Sequence, residues 1–390
     1  MRRGSSGCGS ALRPSAAAPP LAAPSQGWSD TPTRTMRAVV IGASGNFGAR
    51  ICRALQLDSG IEVIPAGRSA AAARLDIRSP GFEHDLSALR PGLVIHCAGP
   101  FQGQAYRVPR ASLAAAAHYL DLADARAFVA RFREQHDAQA RAADRLALSG
   151  ASTLPALSTA VIDNLRPRLA TLEEIRIVIA PGQRAPRGAA TMAAVFSYAG
   201  RPFNVLRGGV WTKAWGWQEV RRVRIPGMGT RLAAACDVPD LELLPARYPG
   251  VKTVEFHAAL ELGIQHVALW TAAGLRRTGV PLPIERWAAS LDKAASWLDT
   301  FGSERGGMLV SLTGTNPQGA RKRLEWHVIA DENHGPEIPC MPAILLARKI
   351  ARNQLGARGA HPCMGFLALE EFEPEFARLG IRSAVEEYEA

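Results

Sequence analysis

Gly42-Ala-Ser-Gly-Asn-Phe-Gly48 spaces three glycines three residues apart, between the apolar run 38–41 and the stretch 49–55. A backbone that turns tightly and lets a pyrophosphate approach its N–H groups cannot carry Cβ atoms at the contact points. The start of the following helix offers unpaired N–H donors and a partial positive charge. Strand, glycine turn and helix in that order make a dinucleotide the expected ligand. Gly42, Ser44, Gly45, Asn46, Phe47 and Gly48 are its expected cradle.

The choice of dinucleotide is set at the end of the second strand, where an acid would hold the ribose 2′-OH of NAD. This chain has Pro65-Ala-Gly-Arg-Ser69 there, without an acid. Arg68 can pair with a 2′-phosphate and Ser69 can add a hydrogen bond, so NADP is expected rather than NAD. Asp76 either accepts a hydrogen bond from the adenine amine or caps a loop. Cys97-Ala-Gly-Pro-Phe-Gln102 ends another apolar run. Ala98, Gly99, Pro100 and Phe101 are expected to pass close to the cofactor ribose and nicotinamide.

Hydride transfer also needs a proton donor or acceptor beside the reacting group. Tyr119, Asp121, Asp124 and Ser152 follow the next two strands and are the catalytic candidates. Three of them have a structural alternative. Asp124 can cap the following helix, Tyr119 can be a core tyrosine with a bonded hydroxyl, and Ser152 and Thr153 can satisfy loop backbone groups.

These residues need a frame of alternating strands and helices. Strands are expected at 36–41, 61–66, 74–77, 92–98, 119–122 and 146–149, with helices at 46–57, 104–117 and 124–144. Six strands with interleaved helices imply a Rossmann-type, doubly wound parallel sheet. After Pro155 the pattern changes. A helix at 158–169 leads to a strand at 174–180. Longer strand-like segments follow at 191–198, 209–225, 251–257, 308–315 and 322–330, with helices at 203–207, 257–276 and 284–301. The expectation is an α+β substrate domain with a mixed or antiparallel sheet. A helical stretch at 338–354 is expected to return to the first domain. The domain boundaries read as 36–155 for cofactor, 156–336 for substrate and dimerisation, and 337–390 for the C-terminal return on the first domain. Residues 1–35, rich in Ala, Pro, Ser and Gly, read as a disordered extension before Met36, the expected start of translation.

Trp211, Trp215 and Trp217 sit close together, with Trp215 and Trp217 on one strand face; they wall an apolar cleft or pack as core. His361-Pro-Cys363 reads as a turn-like junction.

The bulk numbers fit an ordinary globular protein, with 47% hydrophobic and 21% charged residues. The net charge of +11 is scattered and mostly arginine. Arg221, Arg222 and Arg224 form its densest run, too little for a nucleic-acid face. No apolar stretch reaches membrane-spanning length. Six cysteines match no zinc pattern and form no C-x-x-C pair, so no metal is expected and the setting reads as reducing and cytoplasmic. The expected partner is a small-molecule substrate, with a homodimer left open.

Four stretches together carry a resemblance: 42–48, Ala-Gly-Arg-Ser at 66–69, Val-Ile-His-Cys-Ala-Gly-Pro-Phe at 94–101, and His-Tyr-Leu-Asp-Leu-Ala-Asp at 118–124. They resemble the saccharopine dehydrogenase-like oxidoreductases, best over 36–155, and Gly-Ala-Ser-Thr-Leu-Pro at 150–155 extends the likeness. His334-Gly-Pro-Glu-Ile-Pro-Cys340 resembles a loop that closes near the domain junction in that family. The resemblance implies an NADP-type Rossmann domain, an inserted substrate domain and hydride transfer at a carbon–nitrogen bond, that is, at an imine or secondary amine of a small amino-acid-like substrate. The alternative is an NADP(H)-binding sensor without turnover.

Overall fold

The computed structural model describes residues 35–69, 72–186 and 188–389. Nearly all of the expected disordered extension lies outside the described residues. From Met36 the chain alternates β1 (Met36–Ile41), α1 (Asn46–Leu55), β2 (Ile61–Gly67), β3 (Ala73–Arg74), α2 (Phe82–Ala88), β4 (Leu93–His96), α3 (Arg107–Ala114), β5 (His118–Asp121), α4 (Arg126–Ala130), α5 (Phe132–Ala142) and β6 (Leu146–Ser149). After α6 (Ser158–Leu165) come β7 (Thr171–Ala180), α7 (Ala189–Tyr198), β8 (Pro202–Arg207), β9 (Val210–Trp215), β10 (Arg221–Ile225), β11 (Gly229–Ala235), α8 (Asp240–Arg247) and β12 (Thr253–Ala259). The remainder holds α9 (Gly263–Arg277), α10 (Ala288–Ser296), β13 (Gly306–Thr315), β14 (Arg321–Ala330), α11 (Met341–Ala351), β15 (Gly359–Pro362), α12 (Glu373–Arg378) and β16 (Arg382–Glu389).

The first sheet is wholly parallel, in the order β15-β6-β5-β4-β1-β2-β3. A parallel sheet covered on both faces needs apolar residues at consecutive positions. Val39, Val40 and Ile41 meet that need, at 0%, 0% and 1% exposure. Their alternation sends Ala38 and Val40 into one core and Val39 and Ile41 into the other. The order reverses at β1, with β2 on one side and β4 on the other. Such a switch point opens a crevice at the carboxyl ends of the two strands.

The second sheet is mixed. Its main order is β10-β11-β12-β7-β13-β14-β16, with β8 paired to β12 and to β9. Only β12 and β7 run parallel in it; the remaining pairs are antiparallel.

Several sequence expectations are corrected here. The segment 191–198 is helix α7, and 203–207 is strand β8, the reverse of the reading for both. Short apolar runs suit either element by pattern; Ala and Met favour the first as a helix, and pairing with β9 makes the second a strand. The run 209–225 is two strands around a turn. The helix expected at 257–276 begins as strand β12 and becomes helical only at Gly263. The one helix of 124–144 is two, meeting at Arg131. His361-Pro-Cys363 is not simply a turn, because 359–362 adds β15 to the parallel sheet. The C-terminal segment serves both sheets rather than the first alone. Arg348 of α11 reaches Asp58 at 2.9 Å beside α1, whereas β16 pairs with β14. The three tryptophans do not share a face. Trp211 is half exposed, Trp215 lies under the Arg277 guanidinium, and Trp217 is off the strand, buried edge-on to His266.

Candidate cofactor cleft

The crevice at the switch point is built by the ends of β1 and β4. Gly42 leaves β1 at φ +85°, and a Cβ there would lie 2.9 Å from the Ala98 nitrogen. A Cβ on Gly45 would meet the Gly42 carbonyl oxygen at 3.2 Å, and one on Gly48 would meet it at 2.2 Å. The three glycines therefore do separate things. Gly42 lets the turn pass β4, Gly45 keeps the turn bare, and Gly48 lets α1 sit on the turn. Ser44 and Gly45 face solvent. Asn46 donates from Nδ2 to the Pro186 carbonyl at 3.0 Å, so the segment after β7 lies against the cradle. Phe47 packs partly against the core.

Arg68 and Ser69 are exposed just past the end of β2. Among the described residues Arg68 has no acidic partner. Asp76 accepts from the Arg78 N–H at 3.0 Å, closing a turn, which is the capping alternative.

Across the crevice, Gln104 Nε2 donates to the carbonyls of Ala98 (3.0 Å) and Pro100 (3.3 Å). This side chain holds open the narrow loop 97–100. Gly99 faces α7: a Cβ built on it would approach Ala190 Cβ at 3.5 Å. Phe101 is a correction. Its ring is 4% exposed and packs edge-on to His96 and Phe128, inside the core rather than toward a cofactor.

The four catalytic candidates separate cleanly. Tyr119 is fully buried and its hydroxyl lies 3.1 Å from His96 Nδ1. Burial drives the His96 pKa down to about 3, so that imidazole is neutral. Asp121 is fully buried too. Its Oδ1 accepts from Ala123 N, Ser149 Oγ and Gly150 N at 3.0, 3.0 and 2.8 Å. Burial raises its pKa to about 6 although these bonds pull the other way. Tyr119 and Asp121 are thus corrected to structural roles inside the core: the Tyr119 hydroxyl ties β5 to β4, and Asp121 ties the end of β5 to the end of β6. Ser152 donates to the Pro339 carbonyl at 3.1 Å, so its proton is committed to holding the 335–340 turn.

Asp124 remains. It does not cap α4, whose N-cap is Ala125 without a side-chain bond. Its side chain is exposed, and Gln102 Nε2 donates to its Oδ1 at 3.2 Å. Desolvation by the surrounding protein raises its pKa, and the Gln102 bond opposes that rise. Tyr198, at the end of α7, feels the charge of Asp124, which adds to the burial that raises the phenol's own pKa.

Three neighbours of the cleft escaped the sequence reading. Gln102 and Gln104 lie in the loop after β4, and their roles depend on where that loop folds back. Tyr198 comes from an element read as a strand. The 335–340 turn, in contrast, was expected near the junction. Here it closes on α1, with Arg50 and Glu337 3.5 Å apart and Cys340 Sγ 3.7 Å from the Phe47 carbonyl.

Among the described residues no group of three or more His, Cys, Asp or Glu could hold a metal ion, and no helix is long and apolar enough to cross a membrane. Arg221 pairs with the buried Glu255 at 2.7 Å, so the arginine run 221–224 is partly consumed within the fold.

No protein-family pattern and no curated protein matches this sequence. Solved structures do. Saccharopine dehydrogenase (L-Glu forming) from Saccharomyces cerevisiae superposes with a TM-score of 0.61 at 11% identity, covering 90% of this chain and all of that one. An engineered D-amino acid dehydrogenase bound to NADP+ matches with a TM-score of 0.47 at 17% identity, over 87% of this chain and 99% of its own. The C. glutamicum DAP dehydrogenase in complex with DAP gives 0.45 at 15% identity, over 87% and 99%. The fold is therefore shared with the yeast enzyme along nearly its whole length: a parallel Rossmann-type sheet followed by a mixed sheet.

Proposed function

We propose that this chain is an NADP-dependent oxidoreductase that transfers hydride at the carbon–nitrogen bond of a small amino-acid-like substrate. The substrate would be an imine in one direction and a secondary amine in the other. The observation that carries the reading is local. A turn bare of Cβ atoms at the switch point of a parallel sheet ends one strand, and an exposed arginine without an acidic partner ends the next. The likeness to the saccharopine dehydrogenase-like proteins and the shared fold support the carbon–nitrogen chemistry.

When bound, NADPH supplies the hydride. The residues of the chain do the rest. The turn 42–48 and the start of α1 receive the pyrophosphate. Arg68 and Ser69 take the 2′-phosphate, as a charge-assisted pair with an added hydrogen bond. The backbone of Ala98, Gly99 and Pro100, held by Gln104, borders the nicotinamide ribose. Asp124 is the proton donor to the substrate nitrogen, and the acceptor in reverse. Its raised pKa keeps a larger share of the carboxyl protonated near neutrality than an ordinary aspartate would be. Five free cysteines among the described residues, four of them buried, suit a reducing, cytoplasmic setting.

The test is a pair of fluorescence titrations with NADPH and NADH. Arg68→Ala should weaken NADPH roughly 10- to 100-fold, the worth of a lost charge-assisted contact, and leave NADH nearly unchanged. Equal losses for the two cofactors would refute the assignment. NADPH oxidation would then be followed over a panel of 2-oxo acids mixed with amines. Tight NADPH binding without oxidation by any member would point to the sensor instead.

A further inference from the structure

We propose that the outer face of α9, together with the turn that follows α10, is the contact surface for a second copy of this chain. The helix α9 has two opposed faces. His266 and Ala273 are fully buried and Leu269 packs on the core, all on the inner side. On the opposite side Ile264, Val267, Ala268, Thr271 and Leu275 recur at intervals of three and four residues, and every one is exposed. The solvent face of a helix in a globular protein normally carries charge. This one carries none.

The stripe does not stand alone. Gln265 Nε2 donates to the Ala295 carbonyl at 3.4 Å, which brings the turn after α10 alongside the start of α9. That turn presents Trp297 at 77% exposure and Phe301 at 76%. Trp270, 43% exposed, flanks the stripe. These side chains expose on the order of 800 Å² of apolar surface, beyond the few hundred Å² that a monomer ordinarily shows. It is also about what each partner gives to a stable protein interface, ~800 Å² per side.

The surroundings favour a copy of the chain over a lipid surface. Residues 262–301 carry Arg276, Arg277, Arg286 and Lys293 against Glu285, Asp292 and Asp299. Arg276 is already spent on Glu285 at 2.6 Å. A helix that binds anionic membrane carries a strongly basic polar face, and this rim is close to neutral. Two-fold packing would lay the stripe against its own equivalent, apolar on apolar, without burying a charge. With the two-fold axis across the helices, the two α9 would run antiparallel, their dipoles opposed. The proposal does not depend on the cofactor reading.

The experiment is sedimentation velocity on the full chain between about 1 and 100 μM, where micromolar association is visible. The wild type should run as a dimer. The double variant Val267→Glu, Leu275→Glu should run as a monomer, its dissociation constant raised at least ~100-fold by charges with no partner. Its circular dichroism and NADPH titration should match the wild type. Should that variant fail to fold, Thr271→Arg reads the same equilibrium, because Thr271 is exposed and its hydroxyl donates to the Val267 carbonyl within its own helix. A wild type that stays monomeric across the range overturns the proposal, and so does a dimer that survives the folded variants. A monomer that co-sediments with phosphatidylcholine–phosphatidylserine vesicles overturns it in favour of a lipid surface.

Discussion

A methyl group on Gly48 would sit 2.2 Å from the Gly42 carbonyl, and no shift of a flexible side chain could relieve that contact. The cradle is thus specified at single atoms, and so is the difference between the two aspartates nearby. Asp121 and Asp124 are three residues apart at one end of the sheet, yet one is sealed under Ser149 and Gly150 and the other is exposed. Burial and exposure separate their roles where residue type cannot. Asp124→Asn should lower kcat by about 10²- to 10⁴-fold, the usual worth of a positioned proton donor. It should leave NADPH affinity unchanged and abolish the limb of the pH–rate profile that belongs to this carboxyl. Steady-state kinetics with parallel cofactor titration would check it, and an unchanged kcat would move the proton transfer elsewhere.

At the scale of elements, the parallel strands were legible because a buried parallel strand is an uninterrupted apolar run. β1, β4 and β6 announce themselves in that way. α7 and β8 did not. Thr191 to Tyr198 and Phe203 to Arg207 are short runs whose pattern suits either geometry, and their partners, β9, β12 and α10, decide between them. β16 was missed for a related reason. Arg382-Ser-Ala-Val-Glu-Glu-Tyr-Glu389 is mostly exposed, so it lacks an apolar face to read. Its charges suit a sheet edge, which must not invite another strand. β16 covers β14 over eight residue pairs. Ending the chain after Gly380 should therefore bare the β14 edge. The expected outcome is a folded but aggregating protein, seen as rising light scattering at concentrations where the full chain stays clear.

At the scale of the whole molecule, one buried acid couples stability to pH. Asp240 is fully buried at the start of α8, and the Ser158 hydroxyl of α6 donates to its Oδ1. Burial raises its pKa to about 7 from an ordinary value of 3.8. The folded state therefore binds more protons than the unfolded state between these values. Stability contributed by the protonated acid is present in full below about pH 4 and is lost as pH rises through 7. Asp121, raised to about 6, adds to the same slope. Asp240→Asn keeps the shape without the charge. Urea unfolding should show the variant more stable than wild type at pH 8 and close to it near pH 4; the same difference at both would exclude Asp240 as the source. None of this could be read from Asp240 in sequence, where it looks like an ordinary first-turn aspartate. By itself the sequence determined the glycine turn, the missing acid after β2 and the alternating strands that carry both, because each rests on local sterics or periodicity. The closing of the 335–340 turn on α1, the sealing of Asp121, the opening of Asp124 and the bare apolar face of α9 were decided only in the tertiary structure. Burial and proximity between distant segments belong to the packed chain and have no local signature.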